Sequence, residues 1–405
     1  MARTWLYAGA SLAVVGSALF QVYIRSPTLE ANGIYRELHP VNHKNCQSIP
    51  ELKACEKIRI MPSGVMYLAC GGTIESRFTW MPTLDALNAT SVLNRSAQDY
   101  LATYDTKTGA ITRLTINGLT DPRGLNLHGM DVVPDETNPN TLWIYLVNHR
   151  PELDSALKGA NSVIEILKTQ AGADHVEWVR TVENAQVVVT PNDIVGGSNG
   201  QEFWFTNDNG SKVGLRRHID LMFRLKTTFV GYCHVTDGCK RASVPLLGSN
   251  GQITIHKPNK DKTLEHVGTI ATEFPMDNLA LSTDGSIIAA AFPKLHLAID
   301  SAINSSVSVP SAVLRISDAT LGSAYKVEKI YEDEGQLGSF GTTAAMHGDT
   351  LFIHGRFYQV ASNYGLSPLA DSENTYLRAH GSSDACLQDP PAKLSLIDLL
   401  GLKKN

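Results

Sequence analysis

Beyond its first two dozen residues the chain has no long helical periodicity, and no run of lysine or arginine longer than a pair, such as the terminal Lys403-Lys404. It also lacks the strand-to-helix Gly-x-Ser-x-Gly elbow that would expose a serine nucleophile. The first absence points to an all-β chain. The second, with 35 basic against 40 acidic residues and a net charge of −5, excludes a nucleic-acid surface. The third leaves serine and cysteine nucleophiles without support. Charge is sparse at 19% and apolar residues make up 43% of 405, enough for a substantial core in one large domain.

The longest uncharged run is at the start. Trp5 to Ile24 lies between Arg3 and Arg25, with Trp5, Tyr7 and Tyr23 at its borders. A run of about 20 residues suffices for one membrane span, and the aromatics sit where an interfacial belt would. Gly16-Ser17-Ala18 leaves a cleaved signal peptide open, but the apolar run continues through Leu19, Phe20 and Ile24, which favours a retained anchor. A buried core helix is the remaining alternative. Either of the first two readings sends the chain into the secretory pathway, membrane-anchored or secreted. Acceptor triplets for glycosylation begin at Asn88, Asn94, Asn209 and Asn304. Six cysteines are present, and Cys233 with Cys239 is spaced for a disulfide across a hairpin.

From Lys57 onward, short apolar strand pairs alternate with longer polar ones. "IRIMPSGVMYLAC" and "LALSTDGSIIAAAF" are of the first, inner kind; "YLATYDTKTGAITRLTI" and "ITIHKPNKDKTLEHVGTI" are of the second, outer kind. Alternation of inner and outer pairs builds the four-stranded blades of a propeller. The order breaks once, where only "SVPLLGSNG" separates two successive outer pairs. Five pairs of each kind are found, plus whatever strand the N- or C-terminal segment adds to close the ring, so the break in alternation marks one inner pair missing from a six-bladed ring.

Polar clusters stand at strand ends: Cys55-Glu56, Leu127-His128-Gly129, Val147-Asn148-His149, Pro191-Asn192-Asp193-Ile194 and Met276-Asp277-Asn278-Leu279. Taken singly, such residues are turn or capping groups. A closed ring of sheets would bring them to one axis, where carboxylates and amides are the hard oxygen ligands that calcium takes, with two histidines nearby. The histidines at 234, 256, 266, 296, 347 and 354 are expected to be structural.

Over Cys46 to Phe357 the chain resembles the paraoxonase/arylesterase family, through "EKIRIMPSG", "NLHGMDVVPDE", "LWIYLVNHR", "TPNDIVGG", "FWFTNDN" and "FPMDNLALSTDG" in that order. The resemblance implies an all-β, six-bladed β-propeller that hydrolyses lactones and aryl esters at a calcium ion in its central tunnel. It implies Glu56, Asn192, Asp277 and Asn278 as calcium ligands and His128 with His149 as a proton-transferring dyad. It also implies an Asn-Gly-Ile ligand segment, which the missing inner pair would have carried. Where the family has an aspartate for a second, structural calcium, this chain has Lys57; an ammonium cannot ligate calcium, so one calcium is expected, with Lys57 paired to Asp193. The family's ring-closing disulfide would start at Cys46, and Cys386 is the only distal candidate.

The boundaries expected are a signal anchor or transmembrane helix over 1–25, a linker over 26–45, the propeller over 46–362 and a C-terminal extension over 363–405. The function expected is calcium-dependent hydrolysis of a small ester or lactone, with membrane contact through residues 5–24 and no nucleic-acid partner. A gluconolactonase-type propeller and a non-catalytic propeller scaffold are the alternatives.

Overall fold

Tight turns set the strand lengths. The Asp105 carboxylate accepts from the amides of Lys107 and Thr108, and Asp135 from those of Thr137 and Asn138, so each aspartate ties its own loop back toward the chain. The computed structural model describes residues 2–43, 46–222, 225–246, 251–304, 306–317, 325–355 and 377–380. Among them the strands form four sheets of four strands, one of five and two of two.

Each large sheet has one innermost strand. In chain order these strands are Lys57–Ile60, Leu127–Pro134, Pro191–Gly196, Met276–Leu281 and Gly341–His347. Lys57–Ile60 packs between Leu127–Pro134 and Gly341–His347; the former also touches Pro191–Gly196 and the latter Met276–Leu281. Apolar clusters fill the spaces between neighbouring sheets. Leu101 and Ile144 share the one between the first and second sheets, Tyr145 and Phe203 the next, Ile288 and Ile353 that between the fourth and fifth, and Leu68 and Phe352 the seam where the fifth meets the first. This is a propeller arrangement.

The hairpin of Gln252–Pro258 and Leu264–Ala271 stands between the third and fourth sheets with no inner pair among the described residues. Leu264 packs against Trp204 and Tyr232 on one side, and Ile253 and Ile270 against Phe274 and Leu314 on the other. Six complete blades are therefore not found; the shortfall lies where the sequence predicts it.

The last sheet is closed by both ends of the chain. Leu377–His380 pairs with Thr350–Gly355 on one edge and with Cys46–Ser48 on the other, so the sheet draws on residues beyond 362. Cys55 bonds Cys70, and Cys233 bonds Cys239 across its hairpin as expected. Cys46 pairs with no cysteine among the described residues, and Cys386 lies outside them.

The N-terminus forms the helix Ala2–Phe20, a π turn Gln21–Arg25 and the helix Ser26–Ala31. No helix among the described residues is long and apolar enough to cross a membrane. The expected linker is packed onto the propeller: Arg36 donates to the Pro293 carbonyl and lies over the Phe274 ring, and Val41 bridges to Glu332. Of the glycosylation acceptors, Asn88, Asn94 and Asn304 are exposed, whereas Asn209 is buried, its backbone bonded both ways to the Thr190 hydroxyl.

Candidate active site at the entry ends of the inner strands

Four of the five inner strands carry an irregularity in register at their first residues, and in three of them those residues are ones the sequence singles out. Between the paired positions Leu127 and Met130 lie His128 and Gly129. Asn192 and Asp193 lie between Pro191 and Ile194, Asp277 and Asn278 between Met276 and Leu279, and Thr342 between Gly341 and Thr343. An extra residue in a strand breaks the strict alternation of faces and re-aims side chains. Consecutive polar residues can thus both be used at the end of the tunnel. Gly129 permits the inner strands to approach: a Cβ there would lie 2.2 Å from the Asn192 carbonyl oxygen.

Glu56, 1% exposed, is the hub. Its Oε1 accepts from the Asn278 amide at 3.2 Å and lies 3.8 Å from His128 Nε2, and its Oε2 accepts from the Thr342 hydroxyl at 3.0 Å. The His128 ring stands edge-to-face with that of His149, centroids 5.1 Å apart. His149 Nδ1 is 2.8 Å from Ser162 Oγ, which ties down one ring nitrogen and the plane of the imidazole. The structure thus brings Glu56, Asn278, His128 and His149 together from three sheets. Asp277 shares the bulge of Asn278, and Asn192 presents its carbonyl toward Gly129. Among the described residues no three His, Cys, Asp or Glu side chains are grouped around a point that could hold a metal ion.

Lys57 lies just below Glu56 and faces across the axis. Its ammonium is 2.5 Å from Asp193 Oδ2, 3.1 Å from the Leu279 carbonyl and 3.5 Å from Asn278 Oδ1, the ion pair expected from the sequence. Burial pushes the Asp193 carboxyl above the usual carboxylate range, with Lys57 acting against it. Further down, Arg59 and Asp131 pair at 3.4 Å, and the two pairs line a tunnel space of about 50 Å³.

A buried frame that sequence reasoning missed holds the dyad. Asp99 accepts from the amides of Leu127 and Gly72 and pairs with Arg77 and Arg95, while Arg77 donates to the Leu127 carbonyl at 2.7 Å. Both backbone groups of the residue before His128 are thereby fixed. The Trp80 indole donates to the His149 carbonyl, and the flanking Asn148 and Arg150 both donate to buried Glu165. Ser162 was discoverable, because it is the cross-strand neighbour of His149. Arg77 sits in the short helix Ile74–Thr79 and Asp99 in the loop before Tyr100–Asp105, both inserted between the second and third strands of the first sheet, where spacing gives no signal. A Gly-x-Ser-x-Gly string does occur at Gly196–Gly200, but it joins two antiparallel strands and leads into no helix, so it is no nucleophile elbow.

A family model described as Arylesterase matches residues 37–243 and 246–364, its break falling beside the missing inner pair. No curated protein matches the chain. Solved structures that it resembles include a putative gluconolactonase (9% identity, 86% of this chain and 95% of that one, TM-score 0.39). Others are an inactive variant of virginiamycin B lyase from Staphylococcus aureus with quinupristin (10%, 83% and 99%, 0.38) and a putative 6-phosphogluconolactonase from Bacteroides uniformis (14%, 64% and 85%, 0.35). At these scores the likenesses carry no argument about function.

Proposed function

Because this chain belongs to the arylesterase family, we propose that it is a calcium-dependent propeller hydrolase of small esters or lactones, acting at the cluster of Glu56, Asn278, His128 and His149. The observation that carries this reading is the convergence of one buried carboxylate, one amide and two imidazoles from three sheets. We take the unpaired hairpin as the outer half of a sixth blade.

The donor chemistry fits calcium: Glu56, Asn192, Asp277 and Asn278 carry carboxylate and amide oxygens, and Glu56 and Asn278 are neighbours, although through the Asn278 N–H, so calcium there would need that amide turned over. When bound there, calcium would act as a Lewis acid on the substrate carbonyl. The chain's own residues supply the proton transfer. Ser162 engages Nδ1 of His149 and holds its ring edge-to-face against that of His128. His128, between His149 and the Glu56 carboxylate, is placed to take a proton from the attacking water, and Glu56 favours the imidazolium that results. Asp99, Arg77 and Trp80 keep the two rings from rotating out of this geometry.

The test is hydrolysis of phenyl acetate and a small lactone by the purified chain, with calcium and with a chelator. Turnover that calcium restores after chelation supports the reading; absence of turnover with calcium bound overturns it. The second reading is a non-catalytic binding propeller. It is favoured by the Lys57 ammonium beside Asn278 Oδ1, since calcium at Glu56 would need that oxygen turned toward it and the amide's N–H groups turned toward a cation.

Residence in the secretory pathway, with the N-terminal helix resting on a membrane, is part of the same proposal. Two disulfides and the exposed apolar side chains of Leu12, Val15 and Leu19 support it. Fractionation of expressing cells with alkaline carbonate washing tests it, and recovery in the cytosol would exclude it.

A further inference from the structure

Lys212 is a half-buried cation that the proposed reaction does not use. Its ammonium donates to the Ala160 carbonyl at 2.8 Å, and its stem packs against Gly159, where a Cβ would lie 2.5 Å from that of Lys212. The carboxylates that act on it, Glu152 and Glu183, do so at long range; Glu152 pairs with Arg123, and neither forms an ion pair with Lys212 among the described residues. Burial lowers the Lys212 pKa. Withdrawing an ammonium from water without an anion is costly, and such groups concentrate at functional sites.

Lys212 shares one small cavity with His149, Ser162, Thr190 and Thr83. The cavity, about 10 Å³, has room for a single oxygen-sized group, and its walls carry the Lys212 ammonium and the Ser162 hydroxyl, the Thr190 hydroxyl being already bonded to Asn209. Glu56, Asn278 and His128 do not line it, so it opens on the side of His149 away from the carboxylate hub. A group held there is remote from the reacting carbonyl.

We propose that Lys212 is a specificity residue that takes a carboxylate carried by the substrate, so that the preferred ester or lactone bears an acidic group in addition to its reacting carbonyl. One carboxylate oxygen enters the cavity beside Lys212 and Ser162 while the ester carbonyl reaches the dyad. This deepens the hydrolase reading and rests on it.

The test uses the full chain and its Lys212→Gln, Lys212→Met and Lys212→Arg variants, each checked for an unchanged melting transition. Benzoate binding by calorimetry needs no turnover. The unaltered chain and Lys212→Arg should bind it, and Lys212→Gln, which keeps a donor but no charge, should bind it roughly tenfold or more weakly. In kinetics, the ratio of kcat/KM for 4-acetoxybenzoate over that for phenyl acetate should fall by a similar factor in Lys212→Gln and Lys212→Met, through KM. Equal benzoate affinity in the unaltered chain and Lys212→Gln would overturn the proposal, as would an equal loss on both esters. If the unaltered chain hydrolyses neither ester, the hydrolase reading fails and benzoate binding alone decides the role of Lys212.

Discussion

One cation, Lys57, meets Asp193 and the Leu279 carbonyl and so ties together three inner strands, on both sides of the place where an inner pair is missing. Lys57→Met would strand Asp193. The expected loss is about 2–3 kcal/mol in chemical denaturation, below the ~3–5 kcal/mol for fully buried pairs because a quarter of the Asp193 side chain is exposed. Asp193→Asn added to Lys57→Met should recover much of it; full additivity of the two losses would show that the pair is not coupled. Lys57→Asp sets two carboxylates side by side, so it should melt lower than the unaltered chain without metal and regain stability when calcium is added. At the dyad, His128→Gln should lower hydrolysis by about 10²–10⁴-fold with the melting transition intact. A variant that instead unfolds would make His128 a structural residue.

At the scale of the element, the feature that matters is the register irregularity at the start of an inner strand. It explains why the polar residues come as doublets, Asn192-Asp193 and Asp277-Asn278: the bulge frees neighbouring residues from pointing to opposite faces. Gly129 sits in one such bulge, against the Asn192 carbonyl. Gly129→Ala should therefore push apart the second and third inner strands, at a cost of about 1–3 kcal/mol, and lower activity more than stability. Activity and denaturation midpoint measured on the same preparation check this; wild-type activity in a folded Gly129→Ala protein would mean that the close approach is dispensable. The doublets and their order were legible in the sequence, as were the alternating strand pairs, the place of the missing pair, and the Cys233–Cys239 bond. The bulges were not, because an extra residue is defined only against the partner strand it fails to match, which the strand's own residues do not show. Asp99 and Arg77 escaped for a related reason: they act on the backbone of Leu127 from a loop and a short helix whose placement no periodicity predicts.

For the molecule as a whole, the seam between first and last sheets decides whether the ring is closed. His354, 1% exposed, lies there against the Leu52 carbonyl and the Cys55 amide, and burial lowers its pKa to about 4. The folded chain thus refuses a proton that the unfolded chain accepts near pH 6.5. The stability this histidine permits is present above about pH 6.5 and is lost as pH falls toward 4, by on the order of 3 kcal/mol in all. His354→Asn should flatten the dependence of unfolding free energy on pH in that interval; an unchanged slope would place the acid sensitivity elsewhere.

The same seam has a consequence for how the protein is made. Cys46–Ser48 emerges early in synthesis, yet its partner Leu377–His380 follows more than 300 residues later. Through most of translation the nascent chain is an open fan of sheets with unpaired edges at each end, and such edges recruit other strands. The final sheet therefore acts as a completion check. A ribosome-released fragment that stops short of Leu377 keeps a ready strand with no mate, and folding and quality control would separate it from the full-length product by that single unclosed edge.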